Sequence, residues 1–126
     1  LFVRRADCEA VGGFDPAIFL YHEDDDLALR LARRGDLLFL REAVARHAGG
    51  HSSARSPEIA ALKAWHMGRS RVYAARKHGL PRPFGTAFAQ ALRQLASPLV
   101  ALSARKRAKQ LAFLRGVWSM RAGGGA

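Results

Sequence analysis

A single cysteine, Cys8, is all the thiol chemistry that this chain of 126 residues contains. It cannot close an internal disulfide, and its neighbours Asp7 and Glu9 disfavour a thiolate, so it indicates a reducing compartment and nothing catalytic. Acid is missing from the second half altogether. All ten Asp and Glu lie in residues 1 to 58 beside eight Lys and Arg, a net of −2, whereas residues 59 to 126 carry thirteen Lys and Arg and no acid, a net of +13. Such a surface attracts polyanions by field alone, whether nucleic acid, anionic lipid headgroups or phosphorylated substrates. Long apolar runs are missing too. The longest weakly polar stretch, 95 to 104, is broken by Ser97 and Pro98 and falls short of the roughly 18 to 20 apolar residues that a membrane span requires. No internal repeat is present. The chain opens on Leu1-Phe2-Val3-Arg4-Arg5 without a methionine or a signal-like leader, which predicts a fragment that begins inside a strand.

What is there suffices for one folded domain at most: 49% of the residues are apolar, and nothing in the composition indicates a disordered or fibrous protein. Residues 1 to 4 read as a buried strand end and 5 to 11 as one or two helical turns closed by Gly12-Gly13. Asp15-Pro16 then reverses the chain, because Asp15 can accept a hydrogen bond from the backbone two residues on and Pro16 fixes its own φ. Residues 23 to 34 carry acids at the front, Leu27 and Leu31 on one face, Arg30, Arg33 and Arg34 at the back, and Gly35 as the stop, all of which suit a helix and its dipole. Residues 37 to 40 and 43 to 47 read as further strand or extended chain, and 48 to 57 as a loop. Helices are expected from 57 to 78, with an apolar stripe through Ile59, Leu62, Trp65 (or His66), Val72 and Tyr73, and from 84 to 96. A last helix is expected from 98 to 120, with Ser97 as its cap and a stripe through Leu99, Leu102, Leu111, Leu114 and Trp118.

The four adjacent carboxylates Glu23, Asp24, Asp25 and Asp26 have an ordinary explanation, since acids in a first helical turn stabilise the dipole and cap amides. Their mutual repulsion, however, is a cost that function or a bound cation commonly explains. Context favours function. Gly12-Gly13-Phe14-Asp15, then Phe19-Leu20-Tyr21-His22-Glu23-Asp24-Asp25-Asp26-Leu27, then His47-Ala48-Gly49-Gly50-His51-Ser52 resemble, in order, the C-terminal motifs of inverting family 2 glycosyltransferases of the rhamnosyltransferase type: GGFD, F-x-Y-x-E-D-x-D-L and H-x-x-G-x-S. Pro16 and His22 depart from that pattern, at positions bearing on specificity more than chemistry. The resemblance covers roughly residues 1 to 80.

The resemblance implies an α/β fold: residues 1 to 56 as the C-terminal, acceptor-side part of a GT-A catalytic domain, 57 to 122 as a helical basic extension, and 123 to 126 as a flexible tail. Asp24, the second acid of the Glu-Asp pair, is then the base that takes the acceptor hydroxyl proton. Glu23 helps position the acceptor, Asp15 is a candidate for sugar contact, and Asp26 lies nearby in the sugar-binding region, holding the helix start. His47 and Ser52 fall near the donor diphosphate or its metal, with His47 a candidate ligand. A divalent metal, Mg or Mn, is implied for the intact enzyme, its main ligands belonging to an upstream Asp-x-Asp. The implied partners are a nucleotide-sugar donor, a glycan or lipid-linked acceptor and an anionic membrane surface, and the implied location is cytoplasmic, peripheral on the inner face of the plasma membrane. The fragment alone should be inert.

Two other readings compete. Arg69, Arg71, Arg76 and Lys77 beside Trp65 and Tyr73 could serve a basic module that binds nucleic acid or anionic membrane without catalysis, although no nucleic-acid motif accompanies them and a solvated helix face explains them as well. Metal-dependent hydrolysis through Asp24, Asp26 and His47 lacks the further ligands such a centre needs.

Overall fold

The computed structural model of the chain describes residues 1–46 and 56–122. Among these residues six helices follow in order: α1 (Arg5–Ala10), α2 (Glu23–Leu31), α3 (Pro57–Lys77), α4 (Pro83–Leu95), α5 (Pro98–Ala101) and α6 (Ala104–Ser119). No strand occurs among the described residues, so the expected α/β, GT-A-like architecture is overturned: this part of the chain is all-helical. Strands exist by pairing their N–H and C=O groups with a neighbour. Residues 1 to 4 and 37 to 46 pair with none, and the apolar side chains of the second segment stand in the open, with Leu38 79% and Phe39 92% exposed.

The helix ends follow local chemistry. Ser56 Oγ accepts from the Ile59 amide at 3.2 Å, Pro57 occupies the first turn of α3, and Gly79 ends it at φ +68. The single helix expected from 98 to 120 is instead divided. Ser103 adopts an extended backbone and its Oγ accepts from the Lys106 amide at 3.4 Å, so it caps a new helix and leaves α5 as one turn. Ser97, the expected cap, makes no side-chain cap bond.

The core lies where α3, α4 and α6 meet and is built from Ala64, Val72, Ala87, Ala91, Phe113, Val117 and Met120. Val72 of the expected α3 stripe belongs to this core, and Tyr73 and Leu114 pack against it, but the other core residues lie off the stripes. Leu62, Leu99, Leu102 and Trp118 are roughly half or more exposed. The reason is the approach of α3 to α6: a Cβ on Gly68 would lie 2.4 Å from the Phe113 carbonyl oxygen, and one on Gly116 would lie 2.1 Å from that of Trp65. Backbones that close leave room only for small residues at the crossing itself, so several large apolar side chains of α3 and α6 turn outward. Gly68→Ala is expected to cost at least the 1–3 kcal/mol typical of an overpacked core, read as a lowered urea midpoint at unchanged m-value; Gly85→Ala, whose Cβ meets only a side-chain carbon at 3.9 Å, should leave it in place.

The segment before α3 is held to this bundle by polar contacts. Ser70 Oγ donates to the Leu20 carbonyl at 2.8 Å, and Ile18, Leu27 and Leu31 are buried. No helix among the described residues is long and apolar enough to cross a membrane.

Candidate functional site

The site begins at a glycine turn. Gly12 and Gly13 both adopt positive φ, +82 and +65, which a Cβ would oppose, and their amides donate to the Glu9 and Cys8 carbonyls at 2.9 Å, closing α1. Asp15 Oδ1 accepts from the Ala17 amide at 2.9 Å, the local turn expected of it. Its Oδ2 is taken by two side chains of α3, Lys77 Nζ at 2.5 Å and Tyr73 Oη at 3.2 Å. The Lys77 contact, more than any other influence, holds the Asp15 carboxyl below the usual range. Burial and the same carboxylate raise the Tyr73 phenol.

The next residues enter α2 through two consecutive left-handed conformations, Tyr21 at φ 65 and His22 at φ 68. Non-glycine residues there cost on the order of 1–3 kcal/mol each and gather at functional sites, where surrounding structure holds them. Phe19, at the head of this run, lies 4.7 Å from the His66 ring on α3, which in turn meets Trp65 at 4.8 Å. Burial, and then the nearby Arg69 charge, depress the His66 pKa and favour its neutral form.

Helical geometry then separates the four adjacent carboxylates, since successive side chains turn by about 100°. Asp26 points inward and is fully buried. Arg30 Nη2 lies 2.7 Å from its Oδ2, while Lys77 Nζ at 2.9 Å and His78 Nε2 at 2.8 Å meet its Oδ1. Burial alone would push this carboxyl up; the bonds from Lys77, His78 and Arg30 outweigh it and hold the pKa below normal. Lys77 shows the converse, with burial opposing its charge but the Asp15 and Asp26 carboxylates raising its pKa overall. Arg30 carries the network onward, donating to the Val11 and Gly13 carbonyls at 2.5 and 2.6 Å. The glycine turn, the acidic helix and the end of α3 are thus pinned to one buried carboxylate.

The other three acids are left for different surroundings. Asp25 is exposed and pairs with His22 Nδ1 at 3.0 Å. Glu23 is half-buried, its Oε2 enclosed and without a hydrogen-bond partner. Asp24 is exposed, and its Oδ1 accepts from the Asp25 amide at 3.0 Å. Asp24 opens on a cleft of about 470 Å³ whose far side carries Arg71, Gln90, Gln94, Lys109 and Gln110 from α3, α4 and α6. A carboxylate faces two cations and three amides across it, a setting for a polyhydroxylated or anionic ligand.

The structure therefore divides the expected site residues: Asp15 and Asp26 meet on Lys77 of α3, while Glu23 and Asp24 line the cleft. His47 and Ser52 lie outside the described residues. No group of three or more His, Cys, Asp and Glu that could hold a metal ion occurs among the described residues. Sequence reasoning left Lys77 on a solvated face, gave Tyr73 to the apolar stripe of α3 with no polar partner, and did not single out His78, Gln90 or Gln94. Each is an ordinary surface residue type, and only the packing of the helices points it inward or at Asp24.

No family model and no solved structure matches the chain. Among curated proteins it is 38% identical, over 79 residues, to the N-acetylglucosaminyl-diphospho-decaprenol L-rhamnosyltransferase of two strains of Mycobacterium tuberculosis. The match takes in 62% of this chain and 25% of the relative, so the chain spans about a quarter of the length of the proteins it resembles. Over that stretch its relation is to a glycosyltransferase.

Proposed function

We propose that this chain is the acceptor-side part of an inverting glycosyltransferase that moves a sugar from a nucleotide donor to a lipid-linked acceptor in cell-envelope polysaccharide synthesis. The observation that carries the reading is the placement of Asp24: a carboxylate free of any cationic partner among the described residues, set in the first turn of α2, and lining a cleft with Arg71, Lys109 and three glutamines. The similarity to a rhamnosyltransferase supports it.

In this reading the acceptor hydroxyl oxygen attacks the anomeric carbon as its proton passes to Asp24, and the bond to the nucleoside diphosphate breaks on the opposite face. Glu23 orients the acceptor, while Asp15 and Asp26 act from behind through the network on α3. A divalent Mg or Mn ion, with His47 and Ser52 near the diphosphate, belongs to the proposal for the intact enzyme. The described residues offer no cluster to hold that ion, and none of the steps assigned to them passes through it. The test is transfer by the protein at its full natural length, given a nucleotide sugar and a prenyl-diphosphate-linked N-acetylglucosamine, with the product's anomeric configuration read by NMR. Inversion is expected; retention would remove single displacement and with it the role given to Asp24. The 126 residues expressed alone should transfer nothing.

In this reading the enzyme works at the cytoplasmic membrane face, where a lipid-linked acceptor lies, and the junction of α5 and α6 suits that position. Leu99 and Leu102 are 68% and 86% exposed, and the exposed Arg105, Lys106 and Arg107 follow directly. Each basic side chain near an anionic surface contributes about 1 kcal/mol. Flotation with vesicles containing phosphatidylserine should recover the protein, and Arg105→Glu with Lys106→Glu should release most of it. Equal recovery with neutral vesicles would remove the electrostatic attachment.

A further inference from the structure

The cleft that holds Asp24 shares a wall, formed by His22, Asp25 and Arg71, with a second and larger one of about 830 Å³. That volume lies in the range of roughly 300–1,000 Å³ typical of pockets that enclose a small ligand. Its character is different. Leu29, Leu37, Leu80, Pro81 and Pro83 give it an apolar lining, and among the described residues no Phe, Tyr or Trp lines it to stack a nucleobase. Two guanidiniums reach it, Arg33 from the turn after α2 and Arg71 from the shared wall. Neither has an ion-pair partner among the described residues. Of the acids at its border, Asp26 is held by Arg30, Lys77 and His78, and Asp25 accepts a hydrogen bond from His22. An apolar trough reached by two guanidiniums outside any ion pair suits an anionic head on a hydrocarbon tail. Its shared wall sets that head next to the carboxylate assigned as base.

We propose that this cleft seats the diphosphate and first isoprenyl units of a prenyl-diphosphate acceptor, with Arg33 and Arg71 on phosphate oxygens and Leu29, Leu37 and Leu80 against the hydrocarbon. The proposal rests on the glycosyl-transfer reading and deepens it: the sugar carried on the diphosphate extends past Arg71 into the neighbouring cleft, where its hydroxyl meets Asp24.

The experiment is calorimetric titration of the full-length protein with farnesyl diphosphate, inorganic pyrophosphate, farnesol and a nucleoside diphosphate. Farnesyl diphosphate is expected to bind at least tenfold more tightly than pyrophosphate or farnesol. Arg33→Gln, at an exposed position where folding should be unaffected, should weaken it about tenfold or more through the loss of charge-assisted bonds. Leu29→Gln should weaken farnesyl diphosphate and leave pyrophosphate unchanged. Pyrophosphate binding as tightly as farnesyl diphosphate would reduce the cleft to an anion site and overturn the proposal, as would tighter binding of the nucleoside diphosphate at Arg33. Absence of farnesyl diphosphate binding would mean that another segment of the protein covers the cleft, which also overturns it. The two readings fail separately. Sugar transfer without Arg33-dependent binding removes the lipid subsite and leaves the enzyme, whereas Arg33-dependent binding in a protein that transfers no sugar retains the subsite and removes the enzyme.

Discussion

Asp24→Asn is expected to lower kcat for sugar transfer by roughly 10²- to 10⁴-fold, the range that a positioned general base supplies. Donor affinity should be unchanged. The substitution keeps the shape of the side chain, and its amide oxygen can still accept from the Asp25 amide as Oδ1 does now at 3.0 Å. Only the capacity to take a proton is lost. Because Asp24 is exposed, stability should stay within about 0.5 kcal/mol of the parent, so a fall in rate cannot be assigned to unfolding. Glu9→Gln is the control. It removes an exposed partner of Arg5, outside both clefts, and should leave transfer within a few-fold. Steady-state kinetics of both variants, with donor binding measured by titration, decides the matter. A D24N protein that transfers at the parental rate would not have Asp24 as its base.

Asp26→Ala should have the largest effect on stability, about 3 kcal/mol or more, since breaking a buried ion pair by removing one partner leaves uncompensated charge behind. Three cationic or titratable groups converge on that carboxylate, and two of them keep other partners: Lys77 retains Asp15, and Arg30 retains the Val11 and Gly13 carbonyls. The loss therefore belongs at the lower end of the range of about 3–5 kcal/mol. Asp7→Ala, which breaks a solvated pair with Arg34 at 3.8 Å, should cost between about 0 and 1 kcal/mol. Urea unfolding of the two variants reads the difference.

The same network sets the pH dependence. The folded pKa values of Asp15 and Asp26 are depressed, so their contribution is fully present above the ordinary aspartate value of about 3.9 and is lost as pH falls through the lowered folded values. The folded pKa of Lys77 is raised, so its contribution holds below the ordinary lysine value of about 10.4 and is lost as pH rises through the folded value. Between these limits the network should be flat with pH, and Asp26→Ala should remove much of the acid-side slope in unfolding midpoint. A slope unchanged by the substitution would mean that other carboxylates govern acid unfolding.

Several features could be read from the residues alone because their causes are local. Asp15 folds its own turn onto the Ala17 amide, Gly12-Gly13 closes α1, Pro57 opens α3 and Gly79 ends it, and the acids from Glu23 onward start a helix. The acidic helix was also legible as the site's centre, since aromatic residues, carboxylates and Leu27 stand in a recognisable order. Other features depend on what lies across the fold. Strand character in residues 1 to 4 and 37 to 46 needs a pairing partner, and among the described residues it finds none. The apolar stripes of α3 and α6 were legible only in part: Val72, Tyr73 and Leu114 meet the core, whereas Leu62 and Trp118 stand out from it, because Gly68 and Gly116 bring two backbones into contact and favour Ala64 at the crossing over larger neighbours.

The sequence by itself determined the turns, the caps, the start of α2 and the charge division between the two halves, because each depends on residues a few positions apart. Only the tertiary structure decided which of four adjacent acids is buried and which is open. Helical rotation points Asp26 at Lys77 and His78 and leaves Asp24 facing Arg71 and Lys109 across a cleft, and those partners lie too far along the chain for any local rule to bring them there.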